Sequence, residues 1–333
     1  MTFKSILITG GSGSFGLNAT RIILNKYPNL ERLLIYSRNE LKQYEMQQAF
    51  PKVDFPNLQF MIGDVRDVER LKRACNGIDV VIHAAAIKMV PTAEANPDEA
   101  INTNIGGAQN LIKAAIECGV KMVVALSTDK AAAPVNLYGA TKLVAEKLFI
   151  AANDIKGAEN TRFALVRYGN VLGSNGSVVP FFLEKAKTAI VPITNLEMTR
   201  FNILADEAVN IVLWAIENAL GREIVIPKIP SYNILALASA IAPEAEFIEV
   251  GIRPGEKIHE ELITVSDSYN TIDVGQYYII LPPNINKTKY LEHYGGTEIQ
   301  KGFSYNSRDN ENRLLVDDIR KLLIYQFEQD IAQ

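Results

Sequence analysis

Lys4-Ser5-Ile6-Leu7-Ile8-Thr9-Gly10-Gly11-Ser12-Gly13-Ser14-Phe15-Gly16 decides the fold. The β-branched run Lys4 to Thr9 reads as a buried strand. It passes into Gly10, Gly13 and Gly16, a Gly-x-x-Gly-x-x-Gly pattern, and a helix is expected to about Lys26. Glycines here permit a tight turn and let backbone amides, with Ser14 and Phe15 in the first helical turn, approach a pyrophosphate. A glycine cluster alone says little. Opening a strand–turn–helix unit at residue 10, it points to a dinucleotide.

Working outward, Arg32 to Tyr36 reads as the second strand, followed by Ser37-Arg38-Asn39-Glu40-Leu41-Lys42. An NAD site usually places an acidic residue near this strand end to hold the ribose diol. Here Glu40 comes late, while Arg38 and Lys42 suit a 2′-phosphate, so NADP is preferred over NAD. The bland reading is a solvated helix start. Leu58 to Ile62 is the third strand; Asp64 and Val65 follow, with Asp64 either bonding adenine or capping a helix to about Asn76. After the fourth strand, Val80 to His83, the small Ala84, Ala85 and Ala86 let the backbone approach the cofactor. Lys88 then stands in a loop, as a surface lysine or as a cation toward the site. Pro97 to Cys118 reads as a long helix broken at Gly106-Gly107, where Asn104 braces the catalytic backbone or lies in the core.

The fifth strand, Met122 to Leu126, delivers Ser127-Thr128-Asp129-Lys130, and Tyr138 and Lys142 follow on a helix covering Ala140 to Ala152. Four apart, Tyr138 and Lys142 share a helix face. An ammonium there favours the phenolate and is expected to lower the Tyr138 pKa. A lone Tyr-x-x-x-Lys usually means only a helix face; its place behind a nucleotide-binding start makes it a candidate acid–base pair. A sixth strand, Arg162 to Arg167, precedes Tyr168, Asn170 and Val171. Six strands alternating with helices imply an α/β fold, a doubly wound parallel sheet with a smaller C-terminal lobe.

The expected division is a cofactor domain over 1–171, with 200–220 packing back on it, a substrate lobe over 172–199 and 221–283, and a tail over 284–333. Ser174-Asn175-Gly176-Ser177 reads as a loop and Val178 and Val179 as the start of an apolar helix. Ile190 to Ile193 follows, then Thr199 and Arg200, a helix from Ala205 to Ala219, and Arg253-Pro254-Gly255-Glu256-Lys257 in a turn. Arg200 and Arg253 suit a nucleotide diphosphate; surface arginines are the alternative. The tail ends in an amphipathic helix, Val316 to Phe327, that could wrap a neighbouring subunit.

The 333 residues are 48% hydrophobic and 22% charged, with net charge −4. This is ordinary globular composition with no basic run for nucleic acid and no apolar run of membrane-spanning length. The immediate first strand leaves no room for a signal peptide, and the two cysteines, Cys75 and Cys118, fit a reducing cytoplasm. Three scattered histidines show no metal spacing.

Taken together, these motifs resemble the extended short-chain dehydrogenase/reductase superfamily. Within it the chain is most similar to the UDP-N-acetylglucosamine 4,6-dehydratases, in particular the inverting kind that start pseudaminic acid synthesis. The resemblance runs from Leu7 to about Leu322. Its most specific parts are Tyr36-Ser37-Arg38, Gly63-Asp64-Val65-Arg66-Asp67, the catalytic segment, Gly176-Ser177-Val178-Val179-Pro180-Phe181-Phe182, Met198-Thr199-Arg200-Phe201 and Gly251-Ile252-Arg253-Pro254-Gly255-Glu256-Lys257. Thr128-Asp129-Lys130 separates these dehydratases from epimerases, which have small hydroxyl residues there, and from dTDP-glucose dehydratases, which resemble Thr-Asp-Glu.

The resemblance implies that Tyr138 deprotonates the 4-hydroxyl as hydride passes to a retained NADP. Lys130, as a neutral amine with a lowered pKa, then removes the 5-proton, and protonated Asp129 donates to the departing 6-hydroxyl. It implies a homo-oligomer, a dimer or hexamer. It also implies cofactor contacts from Gly10, Gly13, Ser14, Phe15, Gly16, Ser37, Arg38, Lys42, Asp64, Val65, Ala84, Ala85, Ala86, Asn104, Ser127, Tyr138, Lys142 and Tyr168. Substrate contacts are expected from Lys88, Asn170, Ser177, Val178, Val179, Thr199, Arg200, Arg253 and Glu256. Three positions depart from the family's pattern: Met89 for His, Ala133 for Asn and Asn202 for Trp. Competing readings are a retaining dehydratase giving the D-xylo product and a UDP-sugar 4-epimerase or reductase. Relatives of the retaining kind commonly carry Met where this chain has Tyr138, which argues for inversion.

Overall fold

The computed structural model describes residues 3–155, 160–174, 177–188 and 190–331, with side chains to Gln326. Asn175 and Gly176 of the expected loop lie outside the described residues. Near-continuous apolar runs form the central strands because both sheet faces are covered by helices. Strands β1 (Ser5–Thr9), β2 (Arg32–Ser37), β3 (Leu58–Ile62), β4 (Val80–His83), β5 (Met122–Thr128) and β6 (Arg162–Tyr168) are parallel. Between them run α1 (Ser14–Lys26), α2 (Glu40–Ala49), α3 (Val68–Cys75), α4 (Val90–Ala95), α5 (Pro97–Ile101), α6 (Gly107–Glu117) and α7 (Leu137–Ile155). The spatial order is β3-β2-β1-β4-β5-β6. It reverses between β1 and β4, which opens a crevice at their carboxyl ends.

Beyond β6 come β7 (Asn170–Val171), α8 (Val178–Ala186), β8 (Ile190–Ile193), β9 (Thr199–Ile203), α9 (Ala205–Asn218), β10 (Ile224–Pro227), β11 (Ser231–Asn233), α10 (Ile234–Ile241), β12 (Glu246–Glu249) and β13 (Glu261–Ile263). Then follow α11 (Val265–Ser268), β14 (Thr271–Asp273), β15 (Tyr277–Ile280), α12 (Lys287–Tyr294), β16 (Thr297–Glu298), β17 (Tyr305–Asn306) and α13 (Val316–Ile331). Helix α9 returns to pack on α1 and behind β5 and β6, while residues 200–203 of the expected 200–220 segment lie on β9.

The expected boundary at 221 is different in the structure. β10 pairs parallel with β6, and antiparallel β15, β14 and β16 extend the same sheet to ten strands. Segments from 221–283 and from the tail therefore belong to the main sheet. The cause is an open edge: β6 would leave unpaired backbone groups, and the wholly buried Ile224-Val225-Ile226 supplies the partner. What remains as a small lobe is the sheet β11-β9-β7, the pair β12-β8, and α8, α10 and α13 around a core of Leu172, Phe182, Val191, Leu237, Ile319 and Leu323. The C-terminal helix thus packs on α10 of its own chain. The expected break at Gly106-Gly107 is a π-helical turn, Asn102–Gly106, that leads into α6 without interruption.

The ends of β5 and β6, the middle of α7 and β13 are tied together by a buried ion pair. Arg167 on β6 donates from Nε and Nη2 to both carboxylate oxygens of Glu146 on α7, at 2.9 and 2.6 Å. Its Nη1 donates to the Leu262 carbonyl on β13 at 2.8 Å, and Ser127 at the end of β5 donates to Glu146. Both charges are buried and fully bonded, so removing one strands the other. We expect Glu146→Ala to lower the free energy of unfolding by about 3–5 kcal/mol, with Glu146→Gln costing less, measured by denaturant titration.

Candidate active site

The crevice at the switch point has the shape of a dinucleotide cradle. Gly10 has φ +67° and abuts the Ala84-Ala85 backbone; a Cβ there would stand 2.8 Å from Ala85. A side chain at Gly16 would overlap Gly11. The N-terminal turn of α1, with Ser14 and Phe15, points its free amides into the crevice. At the far end Arg38 Nη1 lies 3.5 Å from Asp64 Oδ2, and Asn39 caps α2 by accepting from Lys42 N. The Lys88 residue as a whole is exposed. Its amine, crowded by protein and facing the Lys42 cation, is still held below the usual lysine range. Asp64 does not cap α3; that is Asp67, whose side chain accepts from Arg70 N. Asp64 is bonded instead by Arg66, whose hydrogen bonds and charge, with Arg38, overcome burial and keep its carboxyl below the usual range.

Not all expected cofactor residues face this cradle. Ser127 is turned to Glu146. Val65 packs against Gly107, where a Cβ would come within 2.7 Å of it. Asn104 clamps the Ile87 backbone through both its donor and its acceptor, at 2.9 and 2.8 Å, and donates to Thr141. Thr141 donates to the Tyr138 carbonyl, so Asn104 braces the start of α7 and the loop after β4 together.

At the end of β5 the strand turns sharply into a 3₁₀ turn, Asp129–Ala131. Gly139 makes this possible, because any side chain there would collide with the Lys130 carbonyl. The Thr128 hydroxyl donates to Asp129 Oδ1 at 2.9 Å and lies in hydrogen-bond contact with the Tyr138 phenol. Lys130 Nζ donates to the same Asp129 oxygen at 3.0 Å. Asp129 is fully buried and its Oδ2 has no partner among the described residues.

Two expected pKa shifts run the other way. Burial raises the Tyr138 phenol to about 12, and the cation that opposes this most is Lys130 rather than Lys142. Burial pushes the Lys130 ammonium down, but Asp129 and Glu260 outweigh it and hold its pKa above the usual lysine range. Sequence spacing could not show either effect, because the burial that raises Tyr138 and the second carboxylate beside Lys130, Glu260, come only from the tertiary fold. Lys142 does behave as a buried amine: desolvation lowers it to about 8 against the pull of Glu146. Beside it, burial and the Lys142 charge drop His83 to about 3, and its Nδ1 bonds Thr9 at 2.7 Å.

Glu260 and Tyr232 were missed by the sequence reading. Glu260 Oε1 lies 3.5 Å from Lys130 Nζ and 3.9 Å from Arg200 Nε, and Lys257 Nζ is 4.0 Å from its Oε2. A glutamate just past the Arg253–Lys257 turn was the only signal. On the small-lobe side, Asn170, Ser177, Val178, Val179, Asn202 and Tyr232 line one cleft. Asn170 Oδ1, Ser177 Oγ and Asn202 Oδ1 are buried there without a partner among the described residues, the mark of polar atoms that a ligand would satisfy. Tyr232 is raised to about 12 by burial, opposed by Arg200 and Lys130, which places it between this cleft and the Lys130 cluster. Arg200 donates to the Thr199 and Ile258 carbonyls at 2.8 and 3.0 Å.

Thr199 is not brought to the cluster. Alternation along β9 turns its hydroxyl to His259 and Ser307, at 2.8 and 2.7 Å, in a separate cavity of about 380 Å³. Arg253 is exposed, and the Glu256 carboxylate accepts from its backbone N–H at 3.1 Å; the Gly255 carbonyl of this turn accepts from Asn136 at 2.8 Å.

Comparison with known proteins agrees with this geometry. The family described as "Polysaccharide biosynthesis protein" matches residues 6–282. The chain is 51% identical over 322 residues to the "UDP-N-acetylglucosamine 4,6-dehydratase (inverting)" of Campylobacter jejuni, covering 92% of this chain and 93% of that one. It is 39% identical over 331 residues to a Rickettsia canadensis protein named UDP-glucose 4-epimerase, covering 96% and 95%. The X-ray structure of Pen from Bacillus thuringiensis superposes with a TM-score of 0.89 at 35% identity, covering 98% and 99%.

Ala133, in the turn between Lys130 and Tyr138, has φ +44°, a left-handed conformation that a non-glycine residue holds at a cost of roughly 1–2 kcal/mol. Asn tolerates it better. Ala133→Asn is expected to raise the unfolding free energy by about 0.5–1 kcal/mol, read from a denaturation midpoint.

Proposed function

Because the chain belongs to the polysaccharide biosynthesis protein family, in the branch of the inverting UDP-N-acetylglucosamine 4,6-dehydratases, we propose that it converts UDP-N-acetylglucosamine to the UDP-4-keto-6-deoxy-N-acetylhexosamine with inversion at carbon 5. The observation that carries this reading is the 3.0 Å contact of Lys130 Nζ with buried Asp129, beside Tyr138 at the carboxyl end of β5. A sugar oxidised and reduced at a single carbon needs a phenol and a hydride carrier. An amine and a carboxyl in contact supply the further base and acid that elimination of water demands.

A nicotinamide dinucleotide, when bound, supplies the hydride acceptor for carbon 4 and the hydride donor for carbon 6. Gly10, Gly13, Ser14 and Gly16 would hold its pyrophosphate, and Arg38 with Lys42 favours NADP through a 2′-phosphate. Tyr138 takes the 4-hydroxyl proton; the Lys130 charge opposes the burial that disfavours its phenolate. Lys130 then removes the 5-proton, acidified by the adjacent ketone, while Asp129 gives a proton to the departing 6-hydroxyl.

The ion pair supports both roles. One proton shift along the 3.0 Å contact turns the ammonium and carboxylate into a neutral amine and a carboxylic acid, the forms that elimination consumes. Elimination returns the pair to its charged form. Enclosure by substrate favours the neutral form, because desolvation penalises separated charge. Asn170, Ser177, Asn202 and Tyr232 line a cleft with room for about one water, so substrate polar groups would reach them at its mouth, and Arg200 and Arg253 suit the diphosphate.

Proton NMR of the purified protein with UDP-N-acetylglucosamine in deuterated water tests the reading: a 6-methyl signal with deuterium at carbon 5 is expected, and coupling constants report the configuration. Lys130→Ala should abolish the methyl signal, and near-normal turnover would refute the base assignment. Tyr138→Phe should slow turnover by about a hundredfold or more. Arg38→Ala should weaken NADP binding by about tenfold or more while changing NAD binding little, read by fluorescence titration.

A further inference from the structure

Lys130 is held by two carboxylates, and only Asp129 has a task in the reaction above. The second, Glu260, is 2% exposed and comes from the segment before β13. Its backbone is pinned on both sides: its N–H donates to Ser307 Oγ at 2.9 Å and its carbonyl accepts from Ser307 N–H at 2.8 Å. Oε1 stands 3.5 Å from Lys130 Nζ. Oε2 is buried without a hydrogen-bond partner among the described residues, and the nearest cation, Lys257, is 4.0 Å away and spends its bond on the Ala132 carbonyl at 2.6 Å. A buried carboxylate oxygen left without a hydrogen bond is costly unless its charge is used.

We propose that Glu260 is the positioning residue for the Lys130 amine: as a second carboxylate within 3.5 Å of Nζ it holds the amine in place and stabilises the ammonium that forms when Lys130 takes the carbon-5 proton. The inference rests on the dehydratase reading and adds a residue to it. The step is balanced. The C5–H bond breaks, its proton goes to the Lys130 nitrogen, the electron pair moves toward the 5,6-bond, and the 6-hydroxyl leaves with the proton of Asp129. Glu260 exchanges no proton; its fixed negative charge favours the cation on Lys130 as that charge develops. Arg200 Nε and Lys257 Nζ flank the Glu260 carboxylate at 3.9 and 4.0 Å. Arg200 is held there by the Thr199 and Ile258 carbonyls.

The two half-reactions separate this role from simple packing. In single-turnover experiments with UDP-N-acetylglucosamine, Glu260→Gln should form the reduced cofactor, read at its near-ultraviolet absorbance, at about the wild-type rate. It should then release 6-methyl product at least roughly tenfold more slowly, so that the reduced cofactor accumulates. KM should change little. The acidic limb of the kcat profile should move to lower pH, since Lys130 loses one of the charges that hold its proton. Glu260→Asp keeps the charge and should restore part of the elimination rate and the original limb. Equal slowing of both half-reactions with an unmoved limb, in either variant, would make Glu260 merely structural and overturn the proposal, as would wild-type elimination in Glu260→Gln. Absence of any methyl product from the wild-type protein would instead refute the dehydratase reading.

Discussion

The Glu146–Arg167 pair is the constraint on which the site depends. Two charges leave water, and the structure compensates each with every bond it can offer: Ser127 and both arginine edges on the carboxylate, Leu262 on the third arginine nitrogen. Such pairs add little net stability compared with apolar packing, but they are exacting about geometry. Here the geometry locks the end of β5, the middle of α7, β6 and β13 to one another. Lys142 sits one helical turn before Glu146 and Glu260 just before β13, so the segments that carry both residues are tied to this bond.

Around Lys130 the electrostatics are deliberately unresolved. Asp129 and Glu260 are anions without full hydrogen bonding, and Lys130, Arg200 and Lys257 surround them at 3.0–4.0 Å. In the absence of substrate the anions win and Lys130 is an ammonium. In the proposed reaction a lysine base is therefore not made by burial alone. It would be made by a neighbouring carboxyl close enough to take the proton, and the same carboxyl would be the acid that the leaving hydroxyl requires. The 3₁₀ turn lets the adjacent Asp129 and Lys130 side chains meet at one point, which an extended strand would send to opposite faces.

The positions that depart from the family's pattern read differently once placed. Ala133 holds the left-handed turn where an Asn would sit more easily. Asn202 is buried with a free Oδ1 toward the cleft, so a polar atom stands where the family carries a large aromatic ring. Met89 is exposed at the N-cap of α4.

By itself the sequence determined the parallel sheet, the glycine cradle, the strand end that carries Thr128, Asp129 and Lys130, and the helix that carries Tyr138 and Lys142. Each is written in contiguous residues, as an apolar run, a turn chemistry or a helical spacing, and local rules suffice to read them. The tertiary structure alone decided that β10, β14, β15 and β16 complete the main sheet, that Thr199 faces away from the cluster, and that Glu260 and Tyr232 belong beside it. It also decided the sign of two pKa shifts, Tyr138 and Lys130. Proton affinity depends on burial and on which charges lie within a few ångströms: burial raises Tyr138, while Lys130 is held up first by its neighbour Asp129 and then by Glu260, which is brought from a hundred and more residues away by a pairing no local pattern encodes.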